Sequence, residues 1–143
     1  LDFDRSPFLT TPGAASLGTA IVSANPYGPL SVFGAVLNGN TISGFQQNVT
    51  IQLGNIPGVA GSFLQIDFTG FSVENGRTLT IRSGASGQTV LIRNASATAS
   101  VLGGLLQAQG GTGAAAPGLY LQDPNGMTIN STSEKPGSLA HRG

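Results

Sequence analysis

The sequence predicts an all-β chain, and three observations lead to that prediction. Short apolar runs bounded by Gly, Pro or Asn recur along the 143 residues at strand-like spacing. In the clearest run, Val49, Ile51 and Leu53 alternate with polar side chains, which is the period of two of a strand with one buried face. Helical periodicity is weak throughout: its best candidate, 95–108, contains a Gly-Gly pair, and each glycine costs about 1 kcal/mol in a helix.

These runs divide the chain into three parts. Residues 1–18 are interpreted as an extended N-terminal arm or cap, 19–130 as the β domain, and 131–143 as a loose polar C-terminal tail. Residues 109–117 are predicted to form a loop. The strands are expected at 19–23, 30–37, 48–53, 62–68, 71–73, 77–82, 88–93, 100–106, 118–122 and 127–130. Strands at this spacing fit either a β-solenoid or a β-sandwich, and internal sequence repeats, the usual mark of a solenoid, are weak.

Charge is scarce in this sequence. Asp, Glu, Lys and Arg make up 8% of the residues and the net charge is zero, whereas charged residues are about 25% of an ordinary domain. Such a surface favours self-association, because no like-charge repulsion keeps copies apart. Nucleic acid is not expected as a partner, since phosphate binding requires clustered Lys and Arg.

Polarity comes instead from hydroxyl and amide side chains beside 22 glycines, a composition typical of extracellular β proteins. We therefore expect a secreted protein, extracellular or at the cell surface. The chain has no cysteine for a disulfide or a thiolate metal site. It also has no run of about 18 apolar residues, so it is not expected to span a membrane.

The sequence offers no convincing active site. Its one histidine, His141, lies in the predicted tail. A carboxylate pair for glycoside cleavage would have to come from Asp67, Glu74 and Asp123, and the first two are better explained as salt-bridge partners of nearby arginines. We expect a protein that is not an enzyme and has no cofactor or metal.

The most specific local motif is the turn Asp123-Pro124-Asn125-Gly126. Pro124 presets φ at the second position, the Asp123 carboxylate can accept from backbone N–H groups ahead of it, and Gly126 gives a permissive last position. The flanking runs GLYLQ and MTIN indicate that the turn joins two strands.

The motifs around this turn occur in a recognisable order over residues 68–130: Phe71-Ser72-Val73, then Val90-Leu91-Ile92-Arg93-Asn94, then Ser100 through Gly110, then Leu119 through Ile129. This order resembles the secretion domain of filamentous-haemagglutinin-type two-partner-secreted proteins. That family has an aromatic strand, a strand ending at an Asn/Arg turn, an S-x-I-x-G-x-L-x-A-x-G segment and an N-P-N-G hairpin. Asp123 stands where the family usually has Asn.

The resemblance implies a right-handed parallel β-helix, with a jelly-roll or pilin-like β-sandwich as the alternative. It also implies secretion through the outer membrane and a role in adhesion or surface fibres. We expect a non-catalytic, self-associating subunit of an extracellular fibre or surface adhesin, whose partners are copies of itself. Phe3, Phe8 and Leu9 of the arm are the candidate inter-subunit anchors. The alternative function is the secretion domain of a larger adhesin, recognised by an outer-membrane transporter.

Overall fold

A computed structural model describes residues 17–74, 76–96, 100–124, 127–129 and 139–142 of the chain. These residues form strands and loops without a helix, so the all-β prediction is confirmed. The strands are β1 (Ala20–Ala24), β2 (Ser31–Phe33), β3 (Val36–Asn38), β4 (Thr41–Ser43), β5 (Asn48–Gln52), β6 (Leu64–Phe68), β7 (Ser72–Val73), β8 (Thr78–Arg82), β9 (Thr89–Asn94), β10 (Ser100–Leu102), β11 (Leu105–Gln109), β12 (Gly118–Gln122), β13 (Met127–Ile129) and β14 (Leu139–Arg142).

The strands form three sheets. The largest has the order β14-β12-β9-β6-β1-β4-β3, the second β11-β8-β5-β2, and the third β13-β10-β7. Pairing is parallel from β14 to β6, from β11 to β5 and throughout the third sheet. It is antiparallel where β1, β2, β3 and β4 join. Two of the three sheets are therefore mixed.

From β5 to β13 the chain visits the three sheets in a fixed order. We call the successive sets β5–β7, β8–β10 and β11–β13 the first, second and third triplets. Each strand of a triplet pairs in parallel with its counterpart in the next triplet. In the largest sheet, β6 lies between β9 and β1. Partners such as Val49 and Leu79, or Leu64 and Val90, lie 26 to 30 residues apart.

This register stacks apolar side chains into columns that form the core. Each column contains one buried residue from each triplet, because alternate side chains of paired strands point to the same face. The four columns are Val49, Leu79 and Leu106; Ile51, Ile81 and Ala108; Leu64, Val90 and Leu119; and Ile66, Ile92 and Leu121. Burying a side chain of this size contributes about 1.5–3 kcal/mol.

A row of glycines lines the corner after β5, β8 and β11. Gly54, Gly84 and Gly111 each follow the last residue of their strand by two positions. A Cβ on Gly84 would lie 2.5 Å from the carbonyl oxygen of Leu53, and one on Gly111 would overlap the carbonyl oxygen of Ser83. The triplets approach so closely here that only glycine fits.

The N-terminal strands cover one end of this arrangement. β1 pairs antiparallel with β6, and β2 pairs antiparallel with β5. The β3–β4 hairpin then extends the largest sheet beyond β1. Gly54 of the first triplet packs on the backbone of Tyr27 and Gly28, which belong to this covering segment.

Two predicted strands are each divided by glycine. The run 30–37 is β2 and β3, separated at Gly34, where φ is 81° and a Cβ would overlap the carbonyl oxygen of Asn48. The run 100–106 is β10 and the start of β11. Between them the N–H groups of Gly103 and Gly104 both donate to the carbonyl oxygen of Val73 at 2.7 Å, and the chain turns from one sheet to another.

Two strands were not predicted. β4 is a three-residue strand that follows a tight turn, with Asn38 paired to Thr41. β14 lies inside the segment predicted to be a loose tail and pairs in parallel with β12. No helix among the described residues is long and apolar enough to cross a bilayer. The domain boundaries and the finer assignment to a right-handed β-helix stay predictions.

Candidate functional site

Polar side chains from three segments that are separate in the sequence meet in a buried cluster, which we call the Asn94 cluster. Asn94 ends β9, Ser100 begins β10, and Asp123 follows β12. The Asn94 Nδ2 donates to Ser100 Oγ at 2.9 Å and to Asp123 Oδ1 at 3.3 Å. All three residues are at most 5% exposed. The β9–β12 register accounts for the contact, because it places Asp123 one position beyond the pair of Arg93 and Gln122.

The cluster also fixes the chain after β9. Asn94 Oδ1 accepts hydrogen bonds from the Ser96 N–H at 3.0 Å and from the Ser96 hydroxyl at 2.8 Å. On its other side, Phe68 is the register partner of Asn94 and packs edge-on against Phe71, with ring centroids 5.1 Å apart. A buried amide with several partners holds a unique conformation, because losing any partner leaves a buried polar group unsatisfied.

Asp123, the first residue of the predicted turn, is buried. Its Oδ1 accepts from Asn94 Nδ2, and its Oδ2 has no hydrogen-bond partner among the described residues. Pro124 is exposed, and Asn125 and Gly126 lie outside the described residues. Residues 123–126 lie between β12 and β13, and their turn geometry stays a prediction. The predicted anchors Phe3, Phe8 and Leu9 also lie outside the described residues.

Three other charged residues, Asp67, Arg93 and Arg77, make local contacts. Asp67 and Arg93 are register partners and form an ion pair at 2.8 Å, so the predicted salt bridging of Asp67 is confirmed. Arg77 is buried and donates from Nη1 to the carbonyl oxygen of Gln46 at 2.6 Å. Burial lowers the pKa of Arg77, and the nearby Glu74 carboxylate opposes that shift. No three acidic or imidazole side chains gather as a metal-binding group within the described ranges.

A groove lies on the outward face of the largest sheet, and we call it the Tyr120 groove. Its volume is about 510 Å³. Leu91 and Tyr120 are register partners on its floor, with Thr89 and Gln122 at either end of the two strands. The other side is formed by the loop before β6, which contributes Gly61, Ser62 and Phe63. A second depression of about 280 Å³ shares Gln122 with it and is lined also by Arg93, Asn94, Ala95, Ser96 and Pro124.

The strand order leaves sheet edges at both ends of the arrangement. Within the part of the chain that the structure describes, the edge strands at the N-terminal end are β2, β3 and β7, and those at the other end are β11, β13 and β14. Phe33 on β2 and Val36 on β3 are each 60% exposed. An open edge offers backbone donors and acceptors to another strand, so these edges are candidate docking surfaces.

Comparisons with protein-family models, with curated proteins and with solved structures find no match to this chain. The assignment of a function therefore depends on the chain's own geometry.

Sequence reasoning identified Asp123 but not its association with Asn94 and Ser100. The three residues are up to 29 positions apart, and only the pairing register brings them together. The Tyr120 groove was also missed. The sequence signal for the groove was that Leu91 and Tyr120 occupy the outward positions of β9 and β12, where the alternation of these strands predicts polar side chains.

Proposed function

We propose that this chain is a secreted, non-catalytic structural protein that self-associates as the subunit of an extracellular fibre or surface adhesin, built on a right-handed parallel β-helix. Three triplets that visit three sheets in a fixed order support the helix, since each triplet would be one coil. Parallel crossover connections are right-handed in about 98% of cases, which supports the hand. A sandwich would instead join consecutive strands as antiparallel neighbours.

Self-association is supported mainly by the lack of protective residues at the N-terminal edge, the name we give to the edge strands β2 and β3. Proteins usually protect an edge strand with a charge, a proline or a bulge. Residues 31–43, which contain β2, β3 and β4, have no charged residue and no proline, and the wider stretch 6–66 is also uncharged. Phe33 and Val36 add exposed apolar side chains to this edge.

Contact between this edge and the opposite end of a second copy gives an open assembly. The two surfaces differ, because β2 and β3 lie at one end and β11, β13 and β14 at the other. A contact between unlike surfaces is heterologous and produces a filament unless its rotation closes a ring. The arm 1–18, with Phe3, Phe8 and Leu9, is proposed to bridge neighbouring copies.

Sedimentation velocity and electron microscopy of the purified chain test this proposal. The double variant Phe33→Lys/Val36→Lys places charges on the N-terminal edge and is expected to remain monomeric where the unmodified chain assembles. Val59→Lys is the matched control, because Val59 is 71% exposed but lies in a loop away from the edge strands. It is expected to assemble like the unmodified chain.

A strictly monomeric unmodified chain at high concentration would rule out self-association. Assembly of the double variant would rule out this edge. Deletion of residues 1–12 tests the arm separately, and normal assembly without it would exclude the bridging role. Circular dichroism of every variant establishes that the β-fold is retained.

A second candidate function is the secretion domain of a larger adhesin, read by an outer-membrane transporter. The observation that favours it is the Asn94 cluster, since Asn94, Ser100 and Asp123 come from three motifs of the resemblance and contact one another. A gene whose reading frame continues for hundreds of residues past Gly143 would favour this candidate. A frame that ends near Gly143 would favour the fibre subunit.

A further inference from the structure

The Tyr120 groove has the dimensions and the lining of a small-ligand site. Its volume of about 510 Å³ is within the roughly 300–1,000 Å³ of ligand pockets in proteins. Along the strands it extends from Thr89, the register partner of Gly118, to Gln122, a distance of roughly 13 Å at strand rise. The depression that shares Gln122 continues it past the end of the strand. The site is therefore elongated rather than round.

The aromatic and aliphatic side chains of the groove lie on its floor and one wall. Tyr120 and Leu91 are half-buried neighbours on the sheet, and Phe63 on the opposite loop is 40% exposed. Gly118 has no side chain, so the space beside the Tyr120 ring is open. A Cβ at this position would lie 4.0 Å from Cε2 of the ring. The ring thus extends along the strand toward Gly118 and presents an apolar surface to the groove.

The two sides of the groove are connected by a buried hydroxyl. The Tyr27 side chain is 1% exposed, and its hydroxyl donates to the Ser62 carbonyl oxygen at 3.0 Å while accepting from the Thr89 N–H at 3.0 Å. Ser62 Oγ in turn accepts from the Val59 N–H at 3.1 Å. The loop wall is therefore fixed to the first residue of β9. A site held in this way loses little conformational entropy when a ligand binds.

The side chains that line the described part of the groove carry no charge. Gln122, Thr89 and Ser62 supply an amide and two hydroxyls. Among the described side chains nearby, Asp67 and Arg93 form a 2.8 Å ion pair, and Gln65 Nε2 also donates to Asp67 at 3.1 Å. Arg142 on β14 is the register partner of Gln122, and the comparison of acidic with neutral probes below therefore also tests its influence. The lining suits a ligand that has an apolar face and many hydroxyl groups.

We infer that the Tyr120 groove binds a neutral oligosaccharide. The apolar face of a sugar ring packs on Tyr120 and Leu91, while Gln122 and Thr89 hydrogen-bond to ring hydroxyls, and the length of the groove accepts more than one sugar unit. This binding function is distinct from self-association through the N-terminal edge, because none of the groove residues lies on β2 or β3.

Isothermal titration calorimetry with cellotetraose, laminaritetraose, mannotetraose and N-acetylchitotetraose tests the inference, with a heparin tetrasaccharide as the acidic comparison. At least one neutral probe is expected to bind. Tyr120→Ala is expected to lower its affinity about tenfold or more, as truncation of a central aromatic contact does. Tyr120→Phe keeps the ring and is expected to stay within about threefold of the unmodified chain.

Phe33→Ala is the matched control, because it removes an exposed aromatic ring outside the groove and is expected to leave the affinity unchanged. The inference is overturned if no neutral probe binds, if only the heparin probe binds, or if Tyr120→Ala binds as well as Phe33→Ala. The same titration of the Phe33→Lys/Val36→Lys variant separates the two proposals. If this variant remains monomeric and still binds sugar, the groove binds its ligand without self-association.

Discussion

Replacing Gly84 by alanine introduces a methyl group where two triplets are in backbone contact. The new Cβ would lie 2.5 Å from the Leu53 carbonyl oxygen and closer still to that of Gly54. Ordinary contacts of a Cβ begin near 3.4 Å, so relieving the Leu53 contact requires the backbone of one triplet to move by about 0.9 Å, and relieving the closer Gly54 contact requires a larger movement. Neither carbonyl belongs to a flexible side chain, and Leu53 is also held by a hydrogen bond from its N–H to the Arg82 carbonyl oxygen at 2.9 Å.

Overpacking of a close-packed site costs about 1–3 kcal/mol, and a contact with fixed backbone belongs at the upper end. The loss of unfolded-state entropy on replacing glycine offsets about 0.4–1 kcal/mol of this. We expect a net loss of about 2 kcal/mol in the free energy of unfolding. For a chain of 143 residues this lowers the midpoint of thermal unfolding by roughly 6–8 °C.

Thermal unfolding followed by circular dichroism measures this shift. Gly70→Ala is the matched control, because Gly70 is in a loop, has no positive φ and would have nothing within 4 Å of an added Cβ. It is expected to unfold at the same temperature as the unmodified chain or slightly above it. A Gly84→Ala protein as stable as the Gly70→Ala protein would show that the triplets are not in contact at this corner.

Substitutions at Asp123, Tyr27 and Arg77 test the buried polar contacts, each by chemical denaturation. Asp123→Asn is expected to match the free energy of unfolding of the unmodified chain or exceed it by about 1 kcal/mol, because an uncharged amide that still accepts from Asn94 replaces a buried carboxylate whose second oxygen has no partner among the described residues. Asp123→Ala, which also takes an acceptor from Asn94, is expected to lose about 1–2 kcal/mol, and the reverse order would contradict the geometry. Tyr27→Phe is expected to lose about 1–3 kcal/mol in the free energy of unfolding, since the Tyr27 hydroxyl is buried between two backbone groups, and a variant as stable as the unmodified chain would refute this. Arg77→Met keeps the aliphatic length but loses the bond to a carbonyl oxygen, and a loss below about 0.5 kcal/mol would show that this bond contributes little.

Most strand positions followed from local sequence. The alternation in Val49, Ile51 and Leu53 predicted β5 and its buried face, and the run at 118–122 matches β12 at both ends. Alternation within a short run indicates which side of a strand is buried. It can therefore be read from residues that are adjacent in the sequence. The divisions at Gly34 and at the Gly103-Gly104 pair were missed, because a glycine inside an apolar run does not reveal whether the chain continues or turns.

The candidate sites depend on the register of strand pairing, which cannot be read from any single segment of the sequence. Asn94 and Asp123 meet because β9 and β12 pair in parallel, and Tyr120 lies beside Leu91 for the same reason. The triplets repeat the hydrophobic class of their buried residues more often than their identity, so Val49 of the first triplet corresponds to Leu79 and Leu106 of the next two. A search for repeated letters could not find this spacing. The row of Gly54, Gly84 and Gly111 was its clearest sequence signal.

The central claim is that successive triplets stack in parallel, and proton–proton contacts measured by nuclear magnetic resonance test it most directly. The account predicts short backbone contacts that connect Val49 to Leu79 and Leu79 to Leu106, and likewise Leu64 to Val90 and Val90 to Leu119. Backbone contacts joining β5 to β6 and β8 to β9 as antiparallel neighbours, in place of these, would contradict it.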